Sequence, residues 1–213
     1  MEVEDVGVLL DIDNKADYER LQRFGQSNKE DAGLIEASTS EARVIPGEEE
    51  PGIEVPPKSE LIVVGSEPVA ISLVKLGKLL NFMVTVVDPL LEISDLPPWV
   101  RLLNTLDFSL LPGTSERYVV VASRGRFDEE AVEQALQVHS EYVGLVGNKK
   151  RGQELLGSLE RKGQSAEKLA VVRVPAGVDI GAETSEEIAL SIMAEIVSRR
   201  TAKRRESIRR STA

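Results

Sequence analysis

Cysteine is absent from this 213-residue chain. That excludes disulfides, thiolate metal sites and any relay of sulfur through a protein thiol. Histidine occurs once, as His139, which excludes a multi-histidine metal centre. Aromatic residues make up only 4% of the sequence, too few to build the stacking platform that single-stranded nucleic acid uses. Positive charge is in deficit as well: the formal net charge of −10 argues against a DNA- or RNA-binding surface. No run of 18 apolar residues occurs, and the acidic N-terminus lacks the basic-then-apolar order of a secretory signal. These absences lead us to expect a protein of the reducing cytoplasm, with neither nucleic acid nor membrane as a partner.

What is present divides by composition. Length allows one or two domains, and 41% hydrophobic residues can supply a sizeable core. Residues 1–58 carry 15 acidic and 6 basic side chains and end in Pro- and Gly-rich text. They read as an acidic segment and linker, with a strand expected at Val3–Leu10 and a short helix at Ala16–Phe24; a docking element for a partner is the alternative. Residues 59–200 alternate regularly between short apolar runs and helical periodicity. Residues 199–213 hold seven basic side chains against one acid, Glu206, and read as a helix end continuing into a solvated basic tail over 201–213.

The alternation has a definite form. Leu61–Val64 runs into Gly65-Ser66-Glu67-Pro68, then a helix to Leu80 with Val69, Leu73, Leu76 and Leu80 on one face, then a second apolar run, Val84–Val87, ending at Asp88. This is the layout of the first βαβ unit of a dinucleotide-binding domain, with Pro68 in a first helical turn where a missing N–H costs nothing. Further strands are expected at Trp99–Leu103, Tyr118–Ala122, Tyr142–Val146 and Leu169–Val174. Helices are expected at 129–139 behind an Asp128 cap and from an Asn148 cap to about Lys162. Thr184 and Glu187 form a capping box for a last helix that buries Ile188, Ile192 and Ile196. Residues 89–116 carry the weakest pattern. The fold expected is α/β: a Rossmann-like, mostly parallel sheet with helices on both faces.

Ligands of such sheets collect at the carboxyl ends of the strands. Four segments arrive there. Gly65, Ser66 and Glu67 follow the first strand, but a G-x-G-x-x-G/A fingerprint would have a second glycine where Glu67 stands, and a carboxylate there competes with phosphate for the same N–H groups. Asp88, 23 residues after Gly65, is either a ribose-binding acid or an ordinary turn residue before Pro89. Ser123, Arg124, Gly125 and Arg126 follow the central strand, and the two arginines are either anion-binding or solvated. Gly147 and Asn148 precede Lys149, Lys150 and Arg151, three cations in one first helical turn. They oppose the helix dipole, a strain that a bound anion would relieve. A solvated basic helix end is the other reading.

Residues Pro175–Ala189 (Pro-Ala-Gly-Val-Asp-Ile-Gly-Ala-Glu-Thr-Ser-Glu-Glu-Ile-Ala) resemble the closing motif of the XdhC/CoxI family, accessory factors of xanthine dehydrogenase and carbon monoxide dehydrogenase. Tyr142–Lys150 is similar to that family's Y-V-G-x-I-G-S-[RK]-[RK], Ser123–Asp128 to its T-R-G-H-x-x-D, and Pro56-Pro57 with Gly65–Ala70 to its P-P…G-A-G-H-V-A. The likeness runs from about residue 54 to 198. It departs from the pattern at Glu67, which replaces a glycine, and at Pro68 and Arg126, which replace histidines; the family's N-terminal domain is not recognisable in residues 1–58. The resemblance implies a Rossmann-type domain that binds molybdenum cofactor, carries it without using it, and delivers it to a molybdenum hydroxylase. Such a protein is an accessory factor rather than an enzyme. A cysteine desulfurase is implied as a second partner, and a homo-oligomer is open.

On that reading Lys149 and Lys150 hold phosphate, Arg124 and Arg126 hold phosphate or pterin, and Asp88 and Asp179 bond polar ring or hydroxyl groups. The neighbouring Gly65, Ser66, Glu67, Ser123, Gly147 and Asn148 complete the site. Two other functions remain open: a degenerate Rossmann module that only binds a partner or regulates, and an NAD(P)-dependent oxidoreductase, which Glu67 disfavours.

Overall fold

A computed structural model describes residues 44–45, 59–113 and 116–211. The strand and helix expected at Val3–Leu10 and Ala16–Phe24 lie outside the described residues. Among the described residues seven strands form one sheet: β1 (Val44–Ile45), β2 (Glu60–Val64), β3 (Met83–Val87), β4 (Arg101–Leu103), β5 (Arg117–Val121), β6 (Tyr142–Leu145) and β7 (Val172–Arg173). Their order across the sheet is β1-β4-β3-β2-β5-β6-β7, and only β1 runs antiparallel to its neighbour. The helices are α1 (Pro68–Leu79), α2 (Asp128–Gln137), α3 (Lys149–Arg161), α4 (Ala166–Leu169) and α5 (Ser185–Ser211), with 3-10 turns at Ile93–Asp95 and Phe108–Leu110.

The sheet is covered on both sides because its central strands, β2 and β5, are apolar at every position after the first, as a doubly covered parallel sheet requires. Alternate residues point to opposite faces. Leu61, Val63, Val84, Val86 and Val120 meet Leu73 and Val74 of α1 and Ile192 and Ile196 of α5. Ile62, Val64, Val119, Val121 and Leu145 meet Val132 of α2 and Leu155 and Leu159 of α3. At the amino ends of the strands, Glu60 is fully buried and satisfied: it accepts from Thr85 Oγ1 at 2.9 Å and from Arg117 Nε at 3.1 Å, tying β2, β3 and β5 together.

The expected elements fall within one or two residues of the observed ones, with four corrections. The expected strand Leu169–Val174 is cut to two residues because Ser165 Oγ caps a helical turn at Ala166–Leu169, accepting from Lys168 N at 3.3 Å. His139 is not on a helix: α2 ends at Gln137, and His139 is exposed, with Nε2 3.1 Å from Glu141 Oε1. Asp128 is not the cap of α2 but its first residue, with Phe127 in the cap position. The helix end expected in the basic segment is present, since residues 201–211 continue α5. Finally, the acidic segment is not wholly separate from the domain, since Val44 and Ile45 pair with Leu103 and Leu102 at the sheet edge. Among the described residues no helix is long and apolar enough to cross a membrane.

Candidate functional site

The strand order reverses direction between β2 and β5, because chain connections from these neighbours lead to opposite sides of the sheet. The crevice above their carboxyl ends is where ligands bind in this architecture. Gly65 enters it with φ 101°, a conformation open to glycine, and a Cβ there would lie 2.9 Å from the Ala122 carbonyl oxygen. This tight crossing brings the turn after β2 against the turn after β5.

Three of the polar side chains at this edge are sealed from solvent. Ser66, Asp88 and Ser123 are each at most 1% exposed. Ser66 Oγ donates to Asp88 Oδ2 at 2.9 Å, and Leu90 N donates to Asp88 Oδ1 at 3.0 Å. Burial pushes the Asp88 carboxyl above its usual value, against the hydrogen bonds from Leu90 and Ser66 and the nearby charge of Arg126. Both oxygens of Asp88 are thus engaged by the protein itself. Its carboxylate links the ends of β2 and β3.

The turn after β5 is closed by Arg126 N donating to Ser123 O at 3.2 Å, and its two central residues, Arg124 and Gly125, have φ values of 50° and 97°. The turn aims both arginines at Glu67. Arg124 Nε lies 3.7 Å from Glu67 Oε2, and Arg126 Nη2 lies 3.6 Å from Glu67 Oε1 and 3.6 Å from Asp88 Oδ2. Arg126 also donates to Ser66 Oγ at 3.4 Å. Glu67 is the N-cap residue of α1, yet its side chain makes no capping bond. Its carboxylate lies instead between the guanidinium groups of Arg124 and Arg126.

Two residues outside the expected set complete this edge. Asp128 Oδ1 accepts from Ser123 Oγ at 2.6 Å and from Gly125 N at 3.0 Å, while its Oδ2 receives Arg151 Nη2 at 2.6 Å. Asp128 therefore holds the arginine-bearing turn rather than the amides of its own helix, and Arg151 is spent on Asp128 rather than offered to a ligand. The expected trio of cations is in effect a pair. Lys149 and Lys150 are exposed and make no ion pair among the described residues, beside an Asn148 whose Oδ1 caps α3 by accepting from Arg151 N at 2.9 Å.

The structure thus brings Gly65, Ser66, Glu67, Asp88, Ser123, Arg124 and Arg126 into one contact network. Gly147, Asn148, Lys149 and Lys150 stand at the next strand end, joined to it through Arg151. Asp179 is not drawn in: it is exposed and accepts from Gly181 N at 3.3 Å. Its loop is fixed from behind, where Glu195 Oε2 accepts from Gly177 N at 2.9 Å and from Tyr142 Oη at 2.7 Å. Among the described residues no group of three or more His, Cys, Asp or Glu side chains converges as a metal site would require.

The family model of the XdhC Rossmann domain matches residues 61–196. The uncharacterized protein YqeB of Escherichia coli K12 is 29% identical over 147 residues, which cover 66% of this chain and 27% of that protein. A crystal structure described as a xanthine dehydrogenase from Bacillus halodurans superimposes with a TM-score of 0.58 at 24% identity, covering 71% of this chain and 47% of that one. That likeness is one of fold. The chain spans between about a quarter and a half of the length of these relatives.

Proposed function

The chain belongs to the XdhC Rossmann-domain family, and we propose that it acts as an accessory factor in the maturation of a molybdenum hydroxylase of the xanthine dehydrogenase or carbon monoxide dehydrogenase type. On this reading it carries molybdenum cofactor, or a related pterin phosphate, at the carboxyl edge of its sheet and performs no chemistry on it. The supporting observation is convergence. The segments that carry the family likeness, Gly65–Ala70, Ser123–Asp128, Tyr142–Lys150 and Pro175–Ala189, are separate in sequence, and each follows or runs through the carboxyl end of a strand of one sheet. A cytoplasmic location and a cysteine desulfurase as second partner belong to the same proposal, since a cysteine-free chain needs another protein to supply sulfur.

The chain's own residues have distinct tasks in this reading. Lys149 and Lys150, exposed at the start of α3, attract phosphate. Asp128 fixes the turn that presents Arg124 and Arg126. Asp88 and Ser66 hold the floor of the crevice rigid.

Thermal shift with molybdenum cofactor, NAD and NADP, each added separately, tests the proposal. A ligand at 100 times its dissociation constant stabilises the native state by about 2.7 kcal/mol, so a carrier melts at a higher temperature with molybdenum cofactor and not with the dinucleotides. A rise with NAD or NADP alone turns the reading toward an oxidoreductase. Absence of any rise, with capture of a molybdenum hydroxylase retained, favours a second reading, a module that only binds a partner. The pairing of Glu67 with Arg124 and Arg126 is the observation that supports this second reading, because it satisfies the crevice without a ligand.

A further inference from the structure

A dinucleotide bound to a doubly wound sheet rests on two anchors: its pyrophosphate lies on the N-terminus of the first helix, and its ribose bonds to an acid at the end of the second strand. In this chain both anchors are filled by the protein. The acid, Asp88, is fully buried and already accepts from Ser66 and Leu90. The helix end is faced by the Glu67 carboxylate, with Arg124 and Arg126 on it at 3.7 and 3.6 Å. Those separations exceed hydrogen-bond range, so charge rather than directed bonding holds the carboxylate there, and among the described residues no donor bonds to it. A carboxylate has about four lone-pair sites, and part of the Glu67 side chain is open to solvent.

We infer that Glu67 sets the ligand selectivity of this crevice, and the inference rests on the switch-point site of the function proposed above. Its carboxylate takes the position of an anion between two arginines, so a pyrophosphate is excluded there by like charge and by volume. The group that fits instead is uncharged and presents adjacent N–H donors to two carboxylate oxygens, as the amino-pyrimidinone edge of a pterin does. A phosphate on the same ligand then falls toward Lys149 and Lys150, away from α1.

Calorimetric titration at low salt of the full chain and of Glu67→Gln and Glu67→Gly, with inorganic pyrophosphate, NAD and an unphosphorylated pterin as probes, decides the matter. Glu67→Gln is nearly isosteric, and an unchanged melting temperature shows that it folds. Both variants are expected to bind pyrophosphate about tenfold or more tightly than the parent, the scale of one charged hydrogen bond, and Glu67→Gln/Arg126→Gln is expected to lose that gain. Pterin affinity is expected to fall about tenfold in Glu67→Gln. Equal pyrophosphate affinity in parent and variants overturns the inference, as does a gain that survives Arg126→Gln or a pterin affinity indifferent to Glu67. A parent chain that binds neither pterin nor molybdenum cofactor, with the pyrophosphate gain present, overturns the carrier function and the pterin fit while leaving the exclusion by Glu67 standing. Pterin binding without any pyrophosphate gain does the reverse.

Discussion

The Ser66 hydroxyl bonds to the Asp88 carboxylate at 2.9 Å where neither group reaches solvent. Asp88 therefore carries its charge at a cost. Its folded-state value is raised, chiefly by burial, above the ordinary 3.8. For an acid shifted upward, the folded state binds the proton more tightly than the unfolded chain. The contribution of Asp88 to stability is thus fully present below pH 3.8 and is lost as pH rises through the raised folded value. Asp88→Asn removes the titration and can keep the bond from Leu90. Urea midpoints measured from pH 4 to 8 should show the variant gaining on the parent as pH rises, the difference levelling off toward neutrality. A pH-independent difference would show that Arg126 and the hydrogen bonds fully offset the burial.

Gly125 and Arg151 form a second coupled pair. A Cβ on Gly125 would lie 2.2 Å from Arg151 Nη2, and the backbone there has φ 97°. Gly125→Ala should cost about 1–3 kcal/mol through backbone strain and displacement of Arg151 from Asp128. Arg151→Ala should cost about 1.5–3 kcal/mol, near the low end because the guanidinium is partly exposed. The double variant should lose less than the sum, since removing Arg151 removes the clash. Additive denaturation free energies would show that the two residues do not meet.

The acidic N-terminal segment touches the sheet through Val44 and Ile45, which cover the edge of β4. A chain beginning at Glu54 should keep its far-UV helix signal and a cooperative melt. It should also self-associate at concentrations where the parent does not, because β4 then offers open backbone N–H and C=O groups. Light scattering after size exclusion checks this. Loss of cooperativity would mean that residues before Glu54 belong to the core.

The parts of the fold legible in the sequence were those set by local periodicity and local hydrogen bonding. Val63 and Val64 are apolar on both faces and so declare a central strand, and the Thr184–Glu187 box forms as spaced, with Glu187 N to Thr184 Oγ1 at 3.2 Å and Thr184 N to Glu187 Oε2 at 2.9 Å. The candidate residues were legible through their position after strands. Their pairing was not. Asp128 has the sequence context of a cap, but its oxygens are taken by Ser123, by Gly125 and by Arg151, the last 23 residues away. The sequence marks Glu67 as a competitor for phosphate, and only the three-dimensional turn at Arg124-Gly125 reveals what holds it there. The two-residue strand at Val44–Ile45 sits among acids, prolines and glycines that carry no strand pattern.

Lys149 and Lys150 offer the most direct test of an anion site at this edge. Arg151 is committed to Asp128, so the lysines alone supply the open cations at the start of α3. They oppose the helix dipole and pair with no acid among the described residues. Replacing both with glutamine should therefore leave the ligand-free protein as stable, or raise its stability by a few tenths of a kcal/mol. Binding of any phosphate-bearing ligand, molybdenum cofactor on the proposed function, should weaken by about ten- to a hundred-fold, the scale of one charged hydrogen bond, and the loss should shrink at high salt as the attraction is screened. A clear fall in ligand-free stability with unchanged affinity would assign these lysines to contacts within the fold. The phosphate would then have to be held by the arginines, and Glu67 would have to move aside to admit it.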